Sequence, residues 1–352
     1  MVAIRRELGS PRHLTTISDH DICATSCCEI RDALSSPPVL INLLPDFFAV
    51  LESTDRVAAY LRYFEAHKRI LGPYWTNYVL DPEGPHFQEV VRATANASRD
   101  DLHSMLARVD VVTLARAAEA ESRRVLDADV ETDVVLMVGV GAANAGELVV
   151  GGRGMAFIAL EHFTGHPNPE TAALGLEPEL IPLWLAHELA HAVRYTSPTS
   201  RAEMRHVVDE AGGIYDYWDS GRRASLRELV INEGIAVQAS RLVSPGHAAW
   251  EYFGYTRKEY ARVREAEPFI MRTAAKYLDR SGLGLRLRYL SGGMSDEART
   301  VDRHVLPERS GYFAGARLTD AAIATRGLAW TVRAAADEIT AISTEASSAA
   351  SA

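Results

Sequence analysis

Residues 182–195 read PLWLAHELAHAVRY, and within them His187, Glu188 and His191 form H-E-x-x-H. On a helix, residues four apart lie one turn apart on the same face, so the two imidazoles point the same way. Imidazoles so placed can bind one zinc ion, and Glu188, about 100° round from His187, can reach a water on that ion. Pro182 suits a helix's first turn, and no Gly or Pro interrupts the next dozen residues. Trp184, Leu185, Leu189 and Val193 make the segment apolar almost all round, which predicts burial. A buried His-Glu-His set needs a partner, and a metal is the obvious one. With 12 histidines in 352 residues, an accidental match somewhere in the chain has a probability of roughly 0.03.

Two histidines do not complete a catalytic zinc site, which usually has three protein ligands and an open position. The metzincin continuation is absent, because Arg194 and Ser197 stand where it requires Gly and His. A carboxylate from a following helix is the next possibility, and RELVINEGIAVQAS supplies one. Leu226, Val230, Glu233 and Val237 are spaced 4, 3, 4, so Glu233 lies within an apolar stripe, where an unpaired acid is costly. Gly234 beside it suits a close helix approach. The competing reading pairs Glu233 with an arginine such as Arg227 or Arg241. Other acids between the helices, Asp209, Glu210, Asp216 and Asp219, sit in a more polar stretch that reads as turn or connector, and His206 is a further rival. His162 and His166 are also four apart, but Gly165 and Pro167 argue for a loop and at most a substrate contact.

Working outward, the segment before residue 36 has no sustained periodicity, and 1–35 is expected to be loosely ordered. From 36 to 128 the pattern is helical. Val57, Tyr60, Leu61 and Phe64 recur at i, i+3, i+4, i+7, with Gly72-Pro73 as the expected stop. Ser98 with Asp101 looks like a capping box ahead of Leu102 and Met105. The character changes at 129–339, the expected metallopeptidase region. DVVLMVGVG is an apolar run of strand length, and ELVV and MAFIAL flank GGRG as a hairpin. Helical patterns resume from Pro178. The end, 340–352, is rich in Ala and Ser and is expected to be a disordered tail. Helices, a small sheet, then helices make an α+β fold, mostly helical, with a small mixed or antiparallel sheet beside the HExxH helix.

Hydrophobic residues are 47% of the chain, enough for a sizeable core, and the net charge is −10. An acidic chain is a poor partner for phosphate backbones, so no nucleic acid is expected. The most apolar run, PPVLINLLPDFFAVLE, is short and interrupted by Pro45 and Asp46, so no membrane span is expected. No signal peptide is visible. The three cysteines, Cys23, Cys27 and Cys28, form no disulfide framework and lack paired metal-ligand spacing; the expectation is a cytoplasmic protein. The arginines of RKEYARVR with Arg280, Arg286 and Arg288 read as a solvated helical face rather than a site for acidic substrate.

HELAH, then NEGIA, then GYFAG (Gly311 to Gly315) resembles, over about 180–320, an uncharacterised bacterial family of predicted zinc-dependent proteases. That family carries H-E-x-x-H, a later Glu-Gly-Leu-Ala type segment and a Gly-Tyr-x-x-Gly segment, and belongs to the broad gluzincin group. The resemblance implies a zincin-like fold, zinc on His187, His191 and Glu233, and Glu188 as general base. The 42 positions from His191 to Glu233 exceed the spacing of compact aminopeptidases, and no thermolysin-like Ser-Asp follows the Asn-Glu. In zincins an extended peptide pairs with an edge strand above the active helix, and here Gly154 to Leu160 is the expected edge.

The expected activity is hydrolysis of peptide or protein substrate by a zinc-activated water, with Glu188 moving the proton. The developing oxyanion needs a second donor, for which Tyr312 is the candidate and Tyr195, Tyr215 and His206 are rivals. The plainer reading is that Tyr312 and Phe313 anchor a helix to the core. Two other functions carry the same ligands: a zinc-binding regulatory module without hydrolysis, and a metal-dependent amidohydrolase acting on a non-peptide amide.

Overall fold

A computed structural model describes residues 39–79 and 82–351. The 1–35 segment and its three cysteines lie outside them. The N-terminal layer is helical: α1 (Leu44–Glu52), α2 (Arg56–Ala66), α3 (Lys68–Tyr74), a π-helical segment (Trp75–Val79), α4 (Phe87–Asn96), α5 (Asp100–Leu106) and α6 (Val111–Leu126). Tyr60 and Phe64 of α2 are buried, as the repeat requires. The stop is not where Gly72-Pro73 placed it. α2 ends at Ala66, with His67 as its C-cap, and both residues lie inside α3. Proline lacks the N–H for an i→i−4 bond, and the chain continues in wider π turns instead of ending there. The expected capping box of Ser98 with Asp101 does not form: Arg99 holds the N-cap position of α5, and Ser98 Oγ pairs with Asp100, donating to its carboxylate at 2.9 Å and accepting from its N–H at 3.3 Å.

Four strands form one mixed sheet: β1 (Leu40–Asn42), β2 (Thr132–Met137), β3 (Ala145–Val150) and β4 (Arg153–Ala159), in the order β1-β2-β4-β3. β1 and β4 run parallel to β2, whereas β3 is antiparallel to β4. The hairpin turns at Gly151 and Gly152, both with positive φ, which a residue with a Cβ would rarely adopt. Every residue of β2 and β4 is buried, which explains their unbroken apolar character. The expected edge, Gly154 to Leu160, is therefore interior. Strand order follows pairing rather than position in the chain, and the edges are β1 and β3.

The C-terminal part is again helical: α7 (Ile181–Thr196), α8 (Glu203–Glu210), α9 (Tyr217–Arg223), α10 (Leu226–Val243), α11 (Arg257–Glu265), α12 (Glu267–Ala275), α13 (Leu283–Leu290), α14 (Asp296–Arg299), α15 (Ser310–Arg326), α16 (Leu328–Thr331) and α17 (Ala336–Ser351), with a small hairpin of β5 (Thr300–Val301) and β6 (His304–Val305). The expected disordered tail is the helix α17. Alanine is the strongest helix former, Asp337 and Glu338 sit at the positive end of the helix dipole, and Ile339 is fully buried. Among the described residues no helix is long and apolar enough to cross a membrane.

The sheet rests on α7. Gly154 of β4 is the contact: a Cβ there would lie 3.1 Å from the Ala192 Cβ. α7 and α10 are antiparallel neighbours tied at both ends. At one end Arg194 makes a fork with Glu228, Nε to Oε1 at 3.0 Å and Nη2 to Oε2 at 2.8 Å, with both side chains fully buried. At the other, Ser240 Oγ donates to the Leu183 carbonyl at 2.8 Å. α15 crosses α10 where Gly315 meets Gly234. A Cβ on either would overlap the backbone of the other helix: Gly315's would meet the Val230 carbonyl, and Gly234's would meet Gly315 itself.

Alanine normally stabilises a helix over glycine, but here backbone cannot move aside as a side chain tip can. Gly315→Ala is expected to lose about 3 kcal/mol of stability, read by denaturant unfolding. Unchanged or raised stability would show that the helices are not packed this closely.

Candidate metal centre

The fold turns three donors toward one point. His187 and His191 come from adjacent turns of α7, and Glu233 comes from the facing turn of α10. Glu233 Oε2 lies 3.2 Å from His187 Nε2 and 3.6 Å from His191 Nε2. One ligand atom from each residue falls within 4.8 Å of the others. The imidazoles are 2% and 3% exposed and the carboxylate 12%, so water cannot solvate the set on most sides. Neither Nδ1 has a hydrogen-bond partner among the described residues. Two imidazole nitrogens and a carboxylate oxygen, all presented inward, are a donor set that a zinc ion suits.

The protonation pattern follows from this crowding. Burial lowers the His187 pKa, favouring neutral imidazole. Burial also disfavours charge on His191, but the Glu233 contact and the negative charges of Glu233, Glu147 and Glu188 outweigh it and raise it to about 10. Glu233 is the converse: burial opposes its charge, and the two imidazoles hold its carboxyl well below the usual range. Without a metal, one imidazolium on His191 thus supplies the positive charge that the carboxylate requires.

Glu188 faces the same cleft but is not one of the three converging donors. It is 5% exposed. Burial, then the neighbouring charge of Glu147, pushes its carboxyl well above the ordinary value. Glu147, on β3, was not found from the sequence. Its carboxylate accepts from Tyr195 Oη at 3.3 Å, and it shares the Tyr78 hydroxyl with its own carbonyl, each oxygen at 2.8 Å. Asn232 Nδ2 donates to Tyr195 Oη at 2.6 Å. The one available signal was an acid opening the apolar run ELVV.

Tyr312 opens α15 and stacks on His187, with ring centroids 5.9 Å apart and planes 16° apart. Its neighbour Phe313 is the anchor, buried against Phe253 and Tyr260. Burial, then Glu233, raises the Tyr312 hydroxyl well above its ordinary pKa, so it stays a donor. Tyr195 stacks on His191 at 5.9 Å, but its hydroxyl is engaged by Glu147 and Asn232. Tyr215 Oη accepts from Arg286 at 2.9 Å. Arg286 does not belong to a solvated face: it is 6% exposed and lies 3.6 Å over the Tyr217 ring.

The other rivals lie elsewhere. Asp209 pairs with Arg205, Glu210 and Asp219 with Arg223, and Asp216 caps α9. Asp209 and Glu210 end a helix rather than a connector. His206 and His166 are exposed; His162 is buried and its Nδ1 accepts from the Leu174 N–H at 3.2 Å. Arg227 pairs with Asp279, and Arg241 lies over Tyr252 and Phe253, so neither takes Glu233. The cleft has a volume of about 80 Å³ and is lined by the three donors with Glu188, Glu147 and Tyr312.

Comparison with protein-family models, curated proteins and solved structures finds no match to this chain.

A raised His191 pKa stabilises the fold while the group is protonated in the native state. That contribution is full below the ordinary value near 6.5 and is lost as pH rises through about 10. Chelator-treated protein is expected to melt at lower temperature at pH 10 than at pH 7, and His191→Gln should flatten that difference. An equal slope in His191→Gln would contradict the His191–Glu233 pairing.

Proposed function

We propose that the chain is a zinc-dependent metallopeptidase in which His187, His191 and Glu233 hold the ion and Glu188 is the general base. The observation that carries this reading is the meeting of two buried imidazoles and a half-buried carboxylate beside a further acid that the donor set does not use. A purely structural zinc site closes with four protein ligands and has no need of that acid. When bound, zinc would lower the pKa of a water and polarise a carbonyl.

The chain's own residues supply the rest. Glu188 takes a proton from the attacking water and returns it to the leaving nitrogen. Its raised pKa favours holding the proton between the two acts, since a carboxylate of ordinary acidity is a poor proton store near neutral pH. Glu147 keeps that pKa high, and is itself held by tyrosine hydroxyls. Tyr312, still protonated and stacked beside the donor set, is the oxyanion donor. The buried walls exclude bulk water, which strengthens each of these interactions.

Purified protein is expected to hold about one zinc per chain and to hydrolyse peptides in a chelator-sensitive way. Glu233→Ala should weaken zinc greatly, whereas Glu188→Gln should keep zinc and lose nearly all hydrolysis. Stoichiometric zinc at unchanged affinity in Glu233→Ala would remove the third ligand, and an active Glu188→Gln protein would remove the base.

Tyr312→Phe keeps the ring and deletes the hydroxyl. Turnover should fall by roughly 10²-fold with folding and zinc content unchanged. Full activity would leave Tyr312 as packing against His187 alone.

A further inference from the structure

The sheet edge beside the cleft is open at one end only. In an antiparallel pair, alternate residues turn their N–H and C=O away from the partner strand. On β3 these are Ala145, Glu147 and Val149, because Glu147 and Val149 are bonded from the outer side. The Glu147 N–H donates to Tyr78 Oη at 3.0 Å, and that hydroxyl donates to the Glu147 carbonyl at 2.8 Å. The Val149 carbonyl accepts from the Tyr215 N–H at 3.1 Å. An incoming strand can displace neither cheaply. Asn77 clamps the Tyr78 segment to the same loop, donating to the Tyr215 carbonyl at 3.1 Å and accepting from the Tyr217 N–H at 2.9 Å. Arg286 lies behind, bonded to the Tyr217 carbonyl and to Tyr215 Oη.

The other direction is different. Ala145 lines the cleft, and its outward backbone groups have no partner among the described residues. There the cleft meets a second one of about 440 Å³, sharing Asn144, Trp184, Gly292 and Arg309 with it. Two of the shared residues present buried donors without partners, Asn144 Nδ2 and Trp184 Nε1. Unpaired buried donors at a junction call for acceptors on whatever enters, and peptide carbonyls are acceptors.

We propose that the site acts on chain ends, a refinement that rests on the metallopeptidase reading. The peptide pairs with β3 at Ala145, on one side of the cut bond only. Asn144 and Trp184 meet its carbonyls at the junction, and the terminal residue fills the closed end under Tyr78 and Tyr217. The step is hydrolysis: water's hydroxyl goes to the acyl carbon, its proton to the leaving nitrogen, and one terminal residue is released.

The test uses zinc-loaded protein and ten-residue peptides, with both ends free or with both acetylated and amidated, read by mass spectrometry. Stepwise loss of single residues from one end of the free peptides, and no cleavage of the doubly blocked ones, is the expected result. Cleavage at internal bonds would overturn the chain-end assignment while leaving the peptidase reading intact. No hydrolysis of any peptide would overturn both. Binding gives a readout that needs no turnover: Glu188→Gln protein should bind a free-ended peptide at least about ten-fold more tightly than its doubly blocked form. Equal affinities would overturn the assignment. Tyr78→Phe uncaps Glu147 while keeping the ring, and internal cleavage should then appear. An unchanged pattern would remove the Tyr78 hydroxyl as the stop and overturn the closed end.

Discussion

The centre depends on a buried ion pair that never touches it. Arg194 and Glu228 lock α7 against α10 with a two-bond fork, and Arg194 Nη1 also donates to the carbonyls of Val332 and Ala334, each at 3.0 Å. With both side chains fully buried, the desolvation cost is large, and removal of either partner alone typically costs about 3–5 kcal/mol. What the pair provides is register. One antiparallel alignment puts Arg194 beside Glu228, and the same alignment puts His187 and His191 beside Glu233. A helix slip of one residue would rotate Glu233 by about 100° out of the set and break the fork together.

Glycine sets the remaining approach. The Gly315–Gly234 crossing brings α15 close enough for Tyr312, one turn earlier, to lie against His187. Phe313 points the other way into the core, so one dipeptide serves both packing and site. The glycines of NEGIA and GYFAG are thus two halves of one contact rather than separate features.

The parts of the centre legible in the sequence are those that helical periodicity determines. His187 and His191 share a face because they are four apart, and Glu233 stood out because an acid interrupted an apolar stripe. The α+β class and the 150s hairpin were legible for similar local reasons. What was not legible depends on pairing between distant segments. β3 is an edge, and β4 is not, because the strand following the hairpin inserts beside β2. Glu147, Tyr78 and Arg286 reach the cleft from a strand, a π-helical segment and a helix far apart in the chain, and no spacing rule links them. Arg194 read only as a departure from the metzincin pattern, although it is the residue that holds the helices carrying His187, His191 and Glu233 in register.

If His187, His191 and Glu233 hold the ion, one zinc lies between α7 and α10, bound by nitrogen and oxygen and not by cysteine sulfur. X-ray absorption at the zinc edge of the purified full chain addresses that directly. The expected spectrum has a first shell of only light atoms at about 2.0–2.2 Å, with the outer-shell signature of two imidazoles. A sulfur shell at about 2.3 Å, or a protein that binds no zinc, would contradict it.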